Sequence, residues 1–185
     1  MIEDVLAEAQ TKMAKATEAL KRELASIRTG RANPSLVDHI RVDFYGVPTP
    51  LNQVASISTP EARLLVIQPW DKQALPNVEK AILKSDLGLS PSNDGRIIRL
   101  PIPPLTDERR RDLTKLVHKR VEEGRVAVRN VRRDALDKMR KMEKDKEITE
   151  DDLKDSTEQL QKLTDKFIVD VEALGKEKEE ELLEV

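Results

Sequence analysis

The chain has 185 residues with 33 basic and 35 acidic side chains, and this near balance neither indicates nor excludes a nucleic-acid partner. The absence of cysteine excludes disulfides, thiolate nucleophiles and cysteine-ligated zinc, and it is compatible with a reducing cytosol. No apolar run approaches the roughly 20 residues of a membrane span, and the acidic N-terminus resembles neither a signal nor a transit peptide, so we expect a soluble cytoplasmic protein without a membrane partner.

Proline placement divides the chain into three parts. All ten prolines lie between Pro34 and Pro104. Proline in a helix interior costs about 3 kcal/mol, so long helices are possible only before and after this segment. Residues 2 to 28 carry apolar side chains at alternating steps of three and four, which predicts an amphipathic helix. These positions are Ile2, Val5, Ala9, Met13, Ala16, Leu20, Leu24 and Ile27.

Two further helices are predicted after the proline-containing segment. Apolar side chains at helical spacing run from Thr106, a predicted N-cap, to Asp145. The next helix is predicted to start at Thr149, where the order Thr-Glu-Asp-Asp resembles a capping box. Its apolar positions are Leu153, Leu160, Leu163, Phe167, Val171 and Leu174. The short connection at 146–148 forces an antiparallel hairpin, and the first helix is expected to complete a three-helix bundle.

The middle segment alternates between structural patterns. Ile40, Val42 and Phe44 alternate with polar residues and predict a strand, and further strands are predicted at 63–68 and 96–100. Residues 46–50 are predicted to form a turn, and 73–87 a helix with Gly88 as its C-cap. The predicted fold class is therefore α+β with two domains. Residues 1–29 and 105–185 form the long bundle, 31–103 form an inserted β/α/β domain, and the hinges lie near 29–31 and 103–105.

Charge is distributed unevenly between the two C-terminal helices. Residues 106–145 carry 14 basic and 9 acidic side chains (net +5), whereas 146–185 carry 6 and 14 (net −8). Opposite charges stabilise a hairpin, which explains part of the pattern. On a helical projection, one side of the second helix is nonetheless almost purely arginine. We call this side the arginine flank: Arg125, Arg129, Arg132, Arg133 and Arg140.

Arginine in this pattern indicates a phosphate-binding surface, because its guanidinium group forms bidentate contacts with phosphate. A second group near the predicted hinge, the hinge cluster, is either a further binding patch or a solvated turn: Arg28, Arg31, Arg109, Arg110 and Arg111. With only one Trp, one Tyr and two Phe, the chain lacks stacking platforms for single strands. A folded RNA recognised through its phosphates and shape fits better.

The sequence contains no pattern typical of catalysis. There is no glycine-rich phosphate loop. His39 and His118 have no neighbouring ligand pattern and are predicted to be surface residues. The carboxylates at 151–152 and 179–181 are read as solvated helix charge. We therefore expect no catalytic residue, no metal site and no enzymatic activity.

Several motifs resemble those of the ribosome recycling factor family. They are IRTGRA at 27–32, YGVPTPL at 45–51, SDLGL at 85–89, PIPPLT at 101–106 and VAVRNVRRD at 126–134. The match spans essentially the whole chain in order, with Gly124 and His118 as minor departures. The resemblance implies a monomeric translation factor with an L-shaped, tRNA-like outline. Such a factor releases and recycles ribosomes after termination, binding large-subunit rRNA and separating the subunits together with elongation factor G and GTP.

The resemblance also implies roles for particular residues. The family's rRNA contacts carry over to Arg129, Arg132 and Arg133 and, near the hinge, to Arg28, Arg31 and Arg110; Arg125 joins this predicted rRNA-binding set from the arginine flank. Elongation factor G would push the insert about hinge residues Thr29, Gly30, Arg31, Pro103, Pro104 and Leu105. No cofactor is expected, since GTP is bound by the partner.

Two other classes of protein remain open on the residues alone. One is a helical scaffold that binds another protein through its acidic third helix, with the arginines used only for internal ion pairs. The other is a general RNA chaperone. Sedimentation with ribosomes separates the three possibilities, because a scaffold would not co-sediment and a chaperone would bind free RNA equally well.

Overall fold

The computed structural model describes residues 1–184. These residues form four α-helices: α1 (Ile2–Ala25), α2 (Leu75–Lys84), α3 (Asp107–Lys144) and α4 (Glu150–Leu183). Six strands lie between α1 and α3: β1 (Arg41–Phe44), β2 (Val47–Pro50), β3 (Ala55–Glu61), β4 (Leu64–Pro69), β5 (Ser92–Asn93) and β6 (Ile98–Pro101). The chain divides into two compact units. The helical unit comprises Met1–Leu24 and Asp112–Glu180, and the sheet unit comprises Ala25–Arg111 and the segment from Glu181.

The helical unit is an antiparallel arrangement of three helices. Lys138 and Arg120 of α3 pair with Glu8 and Glu23 of α1, so the chain directions of α1 and α3 are opposed. Helices α3 and α4 are antiparallel as well, since Arg125 pairs with Glu172 whereas His118, earlier on α3, contacts Glu179, later on α4. None of the helices among the described residues is long and apolar enough to cross a membrane.

The core of the helical unit follows the helical period closely. In α4 the buried positions repeat at steps of three and four: Ser156, Leu160, Thr164, Phe167, Val171, Gly175, Lys178 and Leu182, the last of which belongs to the sheet unit. The predicted helix is confirmed, and three of its six predicted apolar positions, Leu153, Leu163 and Leu174, are half-buried at the edge of this core. The buried hydroxyls are satisfied locally, as Thr164 donates to the Leu160 carbonyl at 2.8 Å.

Both predicted helix caps on α3 and α4 are confirmed. Thr106 Oγ1 accepts from the Arg109 N–H at 3.1 Å. Thr149 Oγ1 accepts from the Asp152 N–H at 3.0 Å, and the Asp152 carboxylate accepts from the Thr149 N–H at 3.1 Å. These reciprocal bonds form a capping box that begins α4.

The sheet unit contains two antiparallel sheets. One is the β1–β2 hairpin, and the other has the strand order β3-β4-β6-β5. Its core joins the inward faces of both sheets with α2, and its fully buried side chains include Val42, Leu65, Ile67, Val78 and Ile98. The predicted fold class, α+β with three long helices and a small β-containing insert, matches this architecture.

The first hairpin corrects one sequence prediction. Residues 47–50 form strand β2, not a turn, and pair with β1 from Phe44–Val47 to Arg41–Pro50. The turn itself is Tyr45-Gly46, with φ of 52° and 83°, the geometry of a tight two-residue hairpin loop. Two prolines fit in β2 because an edge strand needs only some of its N–H groups for pairing.

Two further elements of the sheet unit differ from prediction: strand β3 and the end of helix α2. The edge strand β3 was missed, because its outer half is polar and exposed and lacks an alternating pattern. The insert helix α2 ends at Lys84 with Ser85 as C-cap, so the predicted C-cap at Gly88 is wrong. The Ser85 hydroxyl donates to the Ile82 carbonyl at 2.6 Å while its backbone turns to an extended conformation, which ends the helix earlier.

Candidate nucleic-acid interface

The arginine flank lies along the middle of α3. Arg129, Arg133 and Arg140 are exposed and Arg132 is half-buried. None of these four side chains forms an ion pair with any residue from 1 to 184. Their positive charges therefore lie close together without internal neutralisation, a surface that favours a polyanionic ligand.

The sequence explains why two of these arginines form no ion pair within α3. Ion pairs within a helix form between residues three or four positions apart. Arg129 and Arg132 have no acidic residue at these positions. Arg133 has Asp137 four residues later, yet the two side chains form no salt bridge in the structure.

Arg125 differs from the rest of the arginine flank. Its Nη1 donates to Glu122 at 2.8 Å and its Nε donates to Glu172 of α4 at 3.2 Å. These two carboxylates, Glu122 first, raise the pKa of the Arg125 guanidinium above its ordinary value. The side chain is only 28% exposed. Its geometry favours a role in joining α3 to α4, and its assignment as an rRNA contact stays a prediction.

Part of the hinge cluster comes together in the sheet unit. Arg31 and Arg110 line one cavity of about 610 Å³, together with Gly30, Ala62, Arg63, Pro104, Leu105 and Glu184. Arg28 is half-buried and Arg109 and Arg111 are exposed, and none of these three lines the cavity. Folding thus joins two members of the cluster and leaves three apart from the cavity.

Arg63 was missed by sequence reasoning. It lies in the turn between β3 and β4, and its carbonyl accepts from the Ile102 N–H at 2.8 Å. Its position could have been predicted only if β3 had been recognised as a strand. The β3–β4 turn would then have been expected beside the residues that follow β6. Arg63 forms no ion pair with any residue that the structure describes.

The predicted hinge residues all belong to the sheet unit. Thr29 is buried, and its hydroxyl accepts from the Arg31 N–H at 3.2 Å. A Cβ added at Gly30 would lie 3.7 Å from the backbone nitrogen of Leu105, so the two predicted hinge segments run side by side. Motion about them remains a prediction.

The two histidines are exposed, as predicted. His118 contacts Glu179 on α4, and His39 lies 3.9 Å from Asp86. Within residues 1–184 no group of three His, Cys, Asp or Glu side chains is arranged to hold a metal ion.

The fold and the arginines together define a class of protein. A long three-helix scaffold presents guanidinium groups that form no ion pair with residues 1–184, and a smaller mixed unit carries further arginines around a cavity. Such a surface favours a polyanionic ligand that is contacted through its phosphates.

Comparison with known proteins identifies the family. The family model described as ribosome recycling factor matches residues 20–183. Ribosome-recycling factors from Geobacillus kaustophilus and Halalkalibacterium halodurans are 62% and 61% identical over 185 residues, with all of both chains covered. The chain belongs to the ribosome recycling factor family, so the family resemblance and the predicted role in ribosome recycling are confirmed.

Solved structures agree with this assignment. The solution structure of a ribosome recycling factor is 47% identical, has a TM-score of 0.82, and the match covers all of this chain and 98% of that one. A second match describes the T. thermophilus ribosome recycling factor and the E. coli elongation factor G bound to the E. coli post-termination complex. It is 48% identical with a TM-score of 0.72 and full coverage of both chains.

Proposed function

We propose that this protein recycles ribosomes after termination, together with elongation factor G and GTP, by anchoring on large-subunit rRNA through Arg129, Arg132 and Arg133. The observation that carries the anchoring step is that these three side chains form no ion pair with residues 1–184, while Arg125 on the same helix forms two. A relative of 48% identity placed with elongation factor G on a post-termination complex supports the choice of partners.

The mechanism uses the helices as a stiff lever. Three antiparallel helices with a buried core resist bending, so a force applied to the sheet unit is transmitted to the anchored arginines. The predicted hinges at 29–31 and 103–105 separate the proposed bundle domain (1–29 and 105–185) from the insert (31–103). Elongation factor G pushes the insert, and the anchored lever disrupts the contacts between the subunits.

Several assignments accompany this mechanism. The protein acts as a cytoplasmic monomer without a catalytic centre, and GTP is hydrolysed by the partner. Further rRNA contacts involve Arg28, Arg31 and Arg110. Arg31 and Arg110 line the cavity of the sheet unit, which supports their belonging to one binding patch.

The function is tested by the dissociation of post-termination complexes into subunits, measured by light scattering with and without elongation factor G and GTP. We expect dissociation only when all three components are present. Arg132→Ala should slow it and weaken binding to large subunits, with a salt slope reduced by about one. Arg22→Ala is the matched control, because Arg22 is an exposed arginine of α1 without an ion pair to a described residue.

The hinge is tested separately from the anchor. Gly30→Pro should leave the affinity for large subunits unchanged and slow subunit dissociation, because it restricts the backbone between the two proposed domains. Gly30→Ala is the control, since the added Cβ meets only ordinary contacts. Equal dissociation rates for both variants and the wild type would show that motion at Gly30 is not required.

The two alternative classes give different outcomes in simple binding experiments. A protein-binding scaffold would fail to sediment with large ribosomal subunits at low salt. A general RNA chaperone would bind unrelated folded RNA as tightly as it binds large subunits. Either result would overturn the proposed function.

A further inference from the structure

The last residues described at the C-terminus are held by arginines of the sheet unit. The Nη1 atom of Arg31 donates to the Glu184 carboxylate at 2.6 Å. The Nε atom of Arg110 donates to the Leu182 carbonyl at 2.7 Å. Both arginines are in the predicted rRNA-binding set, so two proposed phosphate ligands are engaged by the chain's own C-terminal turn.

The position of Arg31 is fixed by the surrounding backbone. The buried Thr29 hydroxyl accepts from the Arg31 N–H at 3.2 Å, and the adjacent Ala32 N–H donates to the Ala62 carbonyl at 2.7 Å. These bonds fix the backbone of Arg31 beside the cavity without contribution from Glu184. A side chain on a fixed backbone loses less conformational freedom when it binds an anion than one on a mobile loop.

The cavity has the composition of an anion site. It is lined by three arginines, Arg31, Arg63 and Arg110, and by a single acidic residue, Glu184. Arg63 has no ion-pair partner among residues 1–184. The Glu184 carboxylate therefore stands where the oxygens of a phosphate group would meet the Arg31 guanidinium, beside Arg63 and Arg110.

We propose that this cavity is a phosphate-binding site for the RNA backbone, and that Glu184 occupies it as an internal competitor. A backbone phosphate displaces the carboxylate from Arg31, and the C-terminal turn then leaves the site. The exposed setting favours such exchange, because the side chains of Arg31 and Glu184 are 61% and 50% exposed and an exposed ion pair is weak. Phosphate binding at Arg31 is thereby coupled to release of the C-terminal turn.

This inference rests on the proposed function, because it needs RNA as the polyanion. It predicts in addition that removing the negative charge of Glu184 strengthens binding to large ribosomal subunits. Glu184→Gln keeps the size of the side chain and leaves the Arg110 bond to the Leu182 carbonyl intact. We expect it to raise the affinity for large ribosomal subunits about two- to fivefold, the range for one exposed ion pair. The salt slope should change little, because the same phosphate contact forms in the wild type once Glu184 has been displaced.

The matched control is Glu180→Gln. Glu180 lies four residues earlier on α4, is exposed, and has no ion pair with a described residue. Its change alters the net charge equally and should leave the affinity nearly unchanged. In an Arg31→Ala background, Glu184→Gln should have no effect. A gain that is equal in Glu180→Gln, or that persists without Arg31, would overturn the inference, because the effect would then be general electrostatics.

Arg132→Ala separates failure of this inference from failure of the proposed function. If Arg132→Ala weakens binding while Glu184→Gln leaves the affinity unchanged, Glu184 is no competitor and the anchoring function stands. If neither variant alters binding to large subunits, the proposed function itself fails. Melting temperatures of both Glu184→Gln and Glu184→Ala confirm that the variants are folded.

Free phosphate shares its chemistry with the RNA backbone and is distinguished by a separate titration. Inorganic phosphate is added to Glu184→Gln at constant ionic strength, and the arginine side-chain signals are followed by NMR. We expect inorganic phosphate to bind with a millimolar dissociation constant or not at all, while the same variant binds large subunits more tightly than the wild type. A tight response to inorganic phosphate without any gain in subunit affinity would assign the cavity to a small anion and overturn the assignment to RNA.

Discussion

Two neighbouring stretches of α3 use the same residue type in different ways. In the stretch from Arg120 to Arg125, both arginines have ion pairs within α3 and with a neighbouring helix. In the stretch from Arg129 to Arg133, the three arginines have none with any described residue. The difference shows that an arginine-rich helix face is not a uniform binding surface, because carboxylates three residues away or on a neighbouring helix decide which guanidinium groups are available.

The largest effect is expected from removing the unpaired stretch. The triple variant Arg129→Ala, Arg132→Ala and Arg133→Ala should reduce the affinity for large ribosomal subunits on the order of a hundredfold, at about 1 kcal/mol for each phosphate contact. The slope of log affinity against log salt should decrease by about two to three units. Its melting temperature should stay near that of the wild type, since these side chains make no ion pair among residues 1–184. Binding that is unaltered across the salt series would remove the distinction between the two stretches.

The next largest effect is expected where α4 closely approaches the paired stretch of α3. Gly175 lies three residues after Glu172, and a Cβ at this position would meet Val121 Cγ2 at 2.5 Å. In Gly175→Ala, overpacking should cost about 1–3 kcal/mol, whereas the better helix propensity of alanine should return up to about 1 kcal/mol. We therefore expect a net decrease in the free energy of unfolding. Val121 cannot move aside easily because it is β-branched. Chemical denaturation measures the change.

Gly124→Ala is the comparison for this variant. Its Cβ would lie 3.0 Å from Leu20 Cδ2, the end of a flexible side chain, so a smaller loss is expected. Combining Gly175→Ala with Val121→Ala should destabilise less than the sum of the single changes, because the smaller side chain removes the clash. Additive losses would show that the close approach of α3 and α4 at this point is not what limits residue 175.

Ion-pair partners within one helix could be predicted from the sequence, whereas partners on a neighbouring helix could not. The unpaired arginines were predictable, because the absence of acids three and four residues from Arg129 and Arg132 is visible in the sequence. The bond from Arg125 to Glu172 was not, since it depends on the register between α3 and α4, and that register is set by small residues such as Gly175. A count of apolar residues overlooks Ser156, Thr164 and Gly175, which are buried because they are small.

In the sheet unit, prediction failed where neighbours determine structure. Strand β2 contains two prolines and reads locally as a turn, but pairing with β1 makes it a strand. Strand β3 is polar over its outer half, so its existence depends on pairing with β4. The cavity arginine Arg63 was missed for the same reason, because its position follows from the β3–β4 turn.

A smaller effect is expected from the paired arginine itself. Arg125→Ala should reduce the affinity for large subunits less than twofold, since its side chain is already engaged by Glu122 and Glu172. It should lower the free energy of unfolding by up to about 1 kcal/mol, the range for exposed or partly exposed ion pairs. Arg129→Ala is the matched variant. It should reduce the affinity more than Arg125→Ala does and leave the free energy of unfolding nearly unchanged. If the two variants lose equal affinity, ion pairing within the chain does not decide which arginines bind RNA.

The smallest effect concerns pH and the paired lysines of the same helical unit. Lys12 and Lys138, Lys12 first, lower the pKa of Glu8 below its ordinary value of 4.5 through hydrogen bonds to its carboxylate. Because the folded-state pKa is the lower one, the stabilisation is complete above about pH 4.5 and is lost as the pH falls through the folded value. In Glu8→Gln the free energy of unfolding should therefore depend less steeply on pH below 4.5 than in the wild type. The unpaired arginines have no such carboxylate, so the triple variant should keep the wild-type pH dependence. Identical acid unfolding curves for Glu8→Gln and the wild type would show that this pair contributes no measurable stability.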